Sequence, residues 1–595
     1  MSRSIARWTG VAIAIVALTL PIQAQYVLTV RVESFESLLD DVDTIAVALG
    51  QPKGSAENWL NMAQGALGMP QFDWVDKKSP VVLALPLEGM MLGQNGFVGA
   101  LPVADVDAAI AALKSAVEGV EVDENGLIHV PTGEESETLL LPSNGYLVFG
   151  QNANLVGGFD PTGLLSGAQL PPGTIAAEFN VDSVRAMIGM AMQGARQQIA
   201  AGIAEGGQDV DQETVNAVTD TIIGWVQALV ANTRSVQLAL EVTDSHLIVH
   251  NHYLPVSGST LEGFLRAQEG GMPGIARLLD DDDSTMTMVG NVTWTDETTA
   301  AFEDFMEGYL TLLTSSMEGN EELAKLGSLS EFLPAMMNQY ADMLKCMRGD
   351  MAQVLEMSDG IRFTQVAGVS DSDDCRNFNQ RVLDMAAELP EALSDLLSFS
   401  SDGLTHRGVT ALSYGFDLRK FVNMPNDEGF AEVMAMMDGL FGEGGFTAYM
   451  AQIDGHLVAT GGAGGDASLR QVIDRIKDKK SGDGIDEAVF APFDVGAGFY
   501  FMMDFGRMLD GIAKVLPEEV ADTGELAEVR ELFSALGAMT GGLDLQRDAL
   551  ALKLAMPTAG LSTIAEMAQR EAAEKAHAHD GDGDGHGPEG GDEDE

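Results

Sequence analysis

Positive charge is scarce in this sequence: 33 Lys and Arg stand against 90 Asp and Glu, a formal net charge of −57. A field of that sign repels phosphate backbones and anionic membranes, so nucleic acid is not expected as a partner. Cysteine is nearly absent as well. Cys346 and Cys375 stand alone, and no C-x-x-C redox motif exists. Long apolar runs are missing after residue 22, where no segment reaches the ~20 residues that a spanning helix needs. The usual chemical signatures are also lacking, with no G-x-S-x-G, no H-E-x-x-H and no P-loop. Among so many acids, carboxylate pairs at glycosidase spacing arise by chance and none can be singled out. The expectation is a protein that is not an enzyme and carries no cofactor.

The N-terminus carries a targeting signal. Arg3 and Arg7 precede an apolar stretch from Gly10 to Ile22, and Ala24 offers the small residue for cleavage. Residues 1–24 read as a signal peptide, with Gln25 as the first mature residue and no membrane span left after cleavage. The expected location is the periplasm or the extracellular space. In that oxidising setting Cys346 and Cys375 are expected to form a disulfide, which would add roughly 3–4 kcal/mol by closing a loop of this size.

A recurring pattern organises the rest. The segments 236–265 and 542–567 each hold two alternating apolar runs around a polar turn, then Pro-x-x-Gly, then a helix pattern. Alternation at period two with a polar turn predicts a β-hairpin. Upstream, 174–189 and 498–512 each predict a strand running into a helix, with Asp182 and Asp504 as N-caps. Second helices are expected around Val215–Val230 and Glu525–Leu536. The unit is β-α-α-β-β-α, and the middle of the chain fits it twice more. The predicted fold class is α+β: tandem modules whose antiparallel sheets are covered by amphipathic helices, followed by a disordered acidic tail. The divisions are 25–170 (with two extra hairpins at Asn125-Gly126 and Asn144-Gly145), 171–283, 284–409, 410–480 and 490–570, with the tail at 571–595.

One motif inside this pattern resembles a dinucleotide fingerprint. Gly462, Gly464 and Ala467 form G-x-G-x-x-A between an apolar run and a helix. The fingerprint works only in a parallel βαβ unit, whereas this strand is expected to pair across the Asp454-Gly455 turn with its hairpin partner. The same slot holds Pro255 to Gly258 and Pro557 to Gly560 elsewhere, so glycine here predicts a tight bend.

This organisation resembles large exported bacterial proteins that carry domains of unknown function built from repeated strand–helix–hairpin modules. The resemblance covers most of 26–570 and implies no catalytic residues. The β-α-β-β-α alternation also looks like ferredoxin-like pieces, an analogy of fold that implies no function.

Three sets of side chains are candidates for binding. His250 and His252 share one face of a strand, where two imidazoles could meet one Zn²⁺ or Cu²⁺ ion; His246 lies near the turn. The tail holds His577, His579, Asp580, Asp582, Asp584 and His586. Asp580, Asp582 and Asp584 match early positions of a calcium loop, but Gly591 replaces the bidentate Glu, so only weak Ca²⁺ or Zn²⁺ binding is expected. Methionine is abundant, 31 residues, and Met343, Met347 and Met351 are expected on one helix face. Such residues fill cores and also line adaptable apolar grooves. The predicted function is binding or scaffolding of an unknown protein, with a hydrophobic ligand (lipid or peptide) or a divalent metal as alternatives.

Overall fold

The computed structural model describes residues 26–66, 73–90, 92, 96–133, 136–167, 170–206, 212–300, 303–304, 308, 345–358, 360–372, 375, 377–387, 389, 394, 397–416, 438–441, 445–516, 524–567 and 570. The expected signal segment 1–24 and the tail 571–595 lie outside them, as does Met343. The fold is α+β, and every strand pairing with a defined register is antiparallel. The chain divides into two compact units: 1–38 with 60–190 and 234–237, and 39–59 with 191–233 and 238–595.

In the first unit, β1 (Tyr26–Val32), β2 (Val81–Pro86), β3 (Val98–Pro102), β4 (Glu121–Val122), β5 (Ile128–Pro131), β6 (Glu137–Ser143), β7 (Tyr146–Gly150) and β8 (Ile175–Asn180) pair in the order β4–β5–β6–β7–β3–β2–β1–β8. The β6–β7 turn is Asn144-Gly145 with φ of +50° and +83°, the pair of positive values that a two-residue hairpin turn requires. Helix α1 (Val106–Ala116) starts at Asp105, whose carboxylate accepts from Ala108 N at 3.0 Å. Val82, Val98, Val148 and Val156 build one core and Trp74, Ile128 and Leu147 another. After β8 the N-cap is Asn180, which accepts from Ser183 N at 3.0 Å. The expected cap Asp182 already lies inside the first helical turn and pairs with Arg185.

In the second unit the strands are β9 (Thr233–Val242, of which 234–237 fall in the first unit), β10 (His246–Pro255), β11 (Ser284–Asn291), β12 (Met347–Glu356), β13 (Arg362–Val369), β14 (Leu397–His406), β15 (Val409–Phe416), β16 (Phe446–Ile453), β17 (His456–Gly462), β18 (Gly498–Asp504), β19 (Ala538–Gln546) and β20 (Ala549–Pro557). They pair in the order β9–β10–β20–β19–β18–β11–β12–β13–β17–β16–β15–β14. Strands consecutive in sequence therefore stay together, in runs of two, three, three and four, and the joins between runs are β10–β20, β11–β18 and β13–β17.

One face of this sheet, the inner face, is closed by α3 (Gly465–Asp478; α2 is Thr260–Arg266), by the 274–278 turn and by the segment around Phe490. Ile248, Val289, Val354, Val366, Val458, Leu469 and Ile473 meet there in the largest core. Helix α3 turns Leu469, Val472, Ile473 and Ile476 inward at spacings of three and four, the period of an amphipathic helix. The G-x-G-x-x-A corner sits where β17 meets α3. β17 is antiparallel to both neighbours, β13 and β16. Gly462 has φ +81°, and a Cβ on it would lie 1.8 Å from the Ile361 carbonyl oxygen. Glycine is required there by a close backbone approach.

Cys346 and Cys375 form a disulfide with Cα atoms 5.4 Å apart, beside Val369, Leu412 and Leu457. Two expectations fail locally. Met347 and Met351 belong to β12, not to a helix, because the strand begins at Met347. Strand β14 was not expected, because its Ser400 to Gly403 stretch interrupts the alternation, and the register shifts between Ser400 and Leu404.

Candidate functional site

The two expected ligand histidines lie together on β10, flanked by β9 and β20, and they sit in a polar network on the inner face. His250 is 7% exposed. Its Nε2 lies 2.9 Å from Glu241 Oε2. A carboxylate only accepts, so Nε2 is the donor in this bond. The His250 and His252 rings are 6.1 Å apart, nearly perpendicular. His250 Nδ1 and His252 Nε2 are both buried without a hydrogen-bond partner.

Sequence reasoning missed the cation beside them. Lys553 on β20 is directly opposite His250, and its ammonium pairs with Asp544 of β19 at 2.8 Å, both side chains largely buried. Gln546 Nε2 also donates to Asp544, at 2.8 Å, and the Lys553 ammonium lies 6.0 Å from the centre of the Phe493 ring. Tyr500 of β18 accepts from Gly496 N at 3.0 Å. Burial pushes its phenol well above the ordinary range, and the Asp544 charge adds to that. Burial also lowers the His252 pKa, and the neighbouring His250 and Lys553 push the same way. The signal was present: one Lys in "ALALKLAMP" and one Asp in "GLDLQ" interrupt apolar strands, and a charge on an inward position needs a partner.

The strand position opposite His250 thus already carries a cation, paired with Asp544. Among the described residues no group of three His, Cys, Asp or Glu is placed to hold a metal ion. His246, on the same face, is 2.8 Å from Ser245 Oγ through Nδ1 and belongs to the turn. His577, His579, Asp580, Asp582, Asp584 and His586 lie outside the described residues.

The opposite, outer face of the same strands is mostly apolar, with Asn251 and Tyr253 of β10 as polar members joined by a 3.2 Å hydrogen bond. An antiparallel sheet with one face in the core normally presents polar side chains on the other. Here Val249 of β10 faces Leu554 of β20, and Leu554 faces Gly541 of β19. Gly541 in turn faces Phe501 of β18, and Phe501 faces Met288 of β11. The adjacent row holds Leu247 and Met556 as one pair, and Met539, Met503, Met286, Leu355 and Phe363 in unbroken succession. Gly541 and Gly290 let the Phe501 and Phe499 rings lie close to the sheet, since a Cβ at either would come within 3 Å of a ring carbon. At one end, α2 (Thr260–Arg266) covers Leu545 and Leu550 through Leu261, Phe264 and Leu265. Away from α2, Leu238, Val249, Leu552 and Leu554 are 49%, 43%, 43% and 40% exposed on three neighbouring strands. Single exposed apolar residues are ordinary, whereas a contiguous set marks an interaction surface. Strands spaced at ~4.8 Å give the ribbon from β9 to β11 a width of roughly 24 Å.

Among the described residues no helix is long and apolar enough to cross a membrane. No protein-family model, curated protein or solved structure matches the chain.

Proposed function

We propose that this chain is an exported, non-enzymatic binding protein that holds an elongated apolar ligand, such as an acyl chain, against the outer face of β9, β10, β20, β19 and β18. The observation that supports this reading is the contiguous set Leu238, Val249, Leu552 and Leu554, continued by half-buried Met and Phe side chains. Each methylene moved from water onto such a surface contributes about 0.8 kcal/mol when fully buried. Methionine suits this role because its unbranched, polarisable side chain adapts to a flexible ligand. The net charge of −57 works against docking on an anionic bilayer, which favours a ligand carried singly over a membrane surface.

The way the strand runs join supports a chain of repeated β-α-α-β-β-α units. Neighbouring units meet through corresponding strands, first with first at β11–β18 and last with last at β13–β17 and β10–β20. Such joins extend one sheet without leaving a polar gap, so the apolar rows continue across them. Export is supported by the N-terminal pattern and by the Cys346–Cys375 disulfide.

Organic extraction and mass spectrometry of the natively purified protein test the proposal. A stoichiometric fatty acid or acyl lipid is the expected result. Absence of extractable lipid, together with no binding of a fluorescent fatty acid by the stripped protein, overturns it. Metal binding by the tail is a separate reading, tested by calorimetry with Zn²⁺, Cu²⁺ and Ca²⁺ on the full chain and on residues 25–576.

A further inference from the structure

A second site is built on different elements. A cleft of about 280 Å³ lies between the loop at 278–283 and the first turns of α3, with β12 and β13 as its floor. Its walls carry both signs of charge. On the α3 side, Arg475 pairs with Asp280 and donates from Nη1 to the Leu278 carbonyl at 2.8 Å. Gln471 Nε2 donates to Asp280 at 3.3 Å. On the floor, Arg362 pairs with Glu356. Its Nη1 lies 3.6 Å from the point where a side chain on Gly464 would begin. That places the guanidinium at the start of α3, where no side chain caps the helix.

The facing loop presents Asp282 and Asp283, and neither has an ion-pair partner among the described residues. The loop itself is held firmly. Arg507 Nη1 donates to the carbonyls of Asp282 and Ser284 at 3.1 and 3.3 Å, and Asp486 N donates to the Asp281 carboxylate at 3.2 Å. Fixed charges lose little freedom when they capture a ligand.

We propose that this cleft binds a compact zwitterion, an α-amino acid with a short side chain. Its ammonium meets Asp282 and Asp283, and its carboxylate meets Arg362 and the Ser468 hydroxyl. The lining sets four carboxylates (Asp280, Asp282, Asp283, Glu356) against two guanidinium groups (Arg362, Arg475), so a simple anion meets net repulsion. A simple amine satisfies the loop and leaves Arg362 with no new partner. The volume lies below the usual range for drug-sized ligands and leaves no room for a folded peptide. Charge-assisted hydrogen bonds at both ends give the selectivity. The site shares no residue with the apolar face, so either proposal can fail alone.

Isothermal titration of the full chain at low ionic strength tests it, with L-alanine and L-serine as probes and ethylamine and propanoate as the separate halves. The expected result is saturable heat with the amino acids and affinity about tenfold or more weaker for either half. Asp283→Asn, a substitution on an exposed loop, is expected to weaken L-alanine about tenfold with an unchanged melting temperature. Ser468→Trp, which fills the cleft, is expected to abolish the heat. No heat from either amino acid overturns the proposal, as does ethylamine binding as tightly as L-alanine, or full affinity in Asp283→Asn.

Discussion

Val249 on β10 stands directly opposite Leu554 on β20, and both are about two-fifths exposed on the face that an antiparallel sheet ordinarily gives to polar residues. Their inward neighbours, His250 and Lys553, are the polar ones. At these positions the apolar side chains face outward and the polar ones inward, and both consequences can be tested.

Replacing both outward residues, Val249→Glu with Leu554→Glu, is expected to leave the fold in place, because exposed substitutions usually change stability by only about 0.5 kcal/mol. Binding of a fluorescent fatty acid should fall by about tenfold or more, since two carboxylates cannot be desolvated against an acyl chain. Unchanged affinity with an unchanged melting curve would place the ligand elsewhere.

The inner pair makes the opposite prediction. Lys553→Met removes the ammonium and leaves Asp544 charged and largely buried, which is expected to cost about 3–5 kcal/mol. The double variant Lys553→Met with Asp544→Leu removes both charges and should recover most of that loss. Urea denaturation of the single and double variants measures the difference. Equal destabilisation in both would mean that the pair is not coupled.

Acid sensitivity should follow from His252. Burial lowers its folded pKa, helped by the charges of His250 and Lys553 and opposed by Asp544 and Asp548. The unfolded chain therefore binds the proton more readily. The stabilisation from holding this imidazole neutral is present above the unfolded value of about 6.5 and is lost as pH falls below it toward the folded value. Stability measured between pH 8 and 5 should drop more steeply in the native chain than in His252→Leu. Parallel pH profiles would remove His252 as the cause.

The disulfide offers a test that does not touch either face. Cys346 and Cys375 are 29 residues apart, and closing a loop of that length is worth about 3–4 kcal/mol in the chain-entropy view. Cys346→Ser with Cys375→Ser should lower the urea midpoint accordingly without changing ligand affinity. A loss of affinity would tie the bridge to the site.

Local regularity decided what could be read from sequence alone. The hairpins around Thr243 to Ser245 and around Asp454-Gly455 were legible because alternation and turn chemistry coincide there. Strand β14 was not, since Ser400 to Gly403 break its alternation and only pairing with β15 makes it a strand. Met347 and Met351 satisfy helical spacing by coincidence, and β12 claims both because they extend a strand already paired on both sides. Asp182 looked like the cap, but Asn180 accepts the capping bond because the helix begins sooner. At the candidate site, alternation placed His250 and His252 on one face. Their true neighbours, Lys553 and Asp544, lie about 300 residues further on, and only sheet pairing between distant hairpins brings them there. The apolar outer rows were hidden for the same reason, since each strand contributes only two or three members.

The account turns on whether the outer face of β10 and β20 holds an apolar chain. A photoreactive diazirine placed on a fatty acid, followed by mass spectrometry of the crosslinked peptides, measures that contact directly. The account predicts adducts on the β10 and β20 peptides that carry Val249, Leu552 and Leu554. Adducts confined to other segments, or none above a scrambled-protein control, would contradict it.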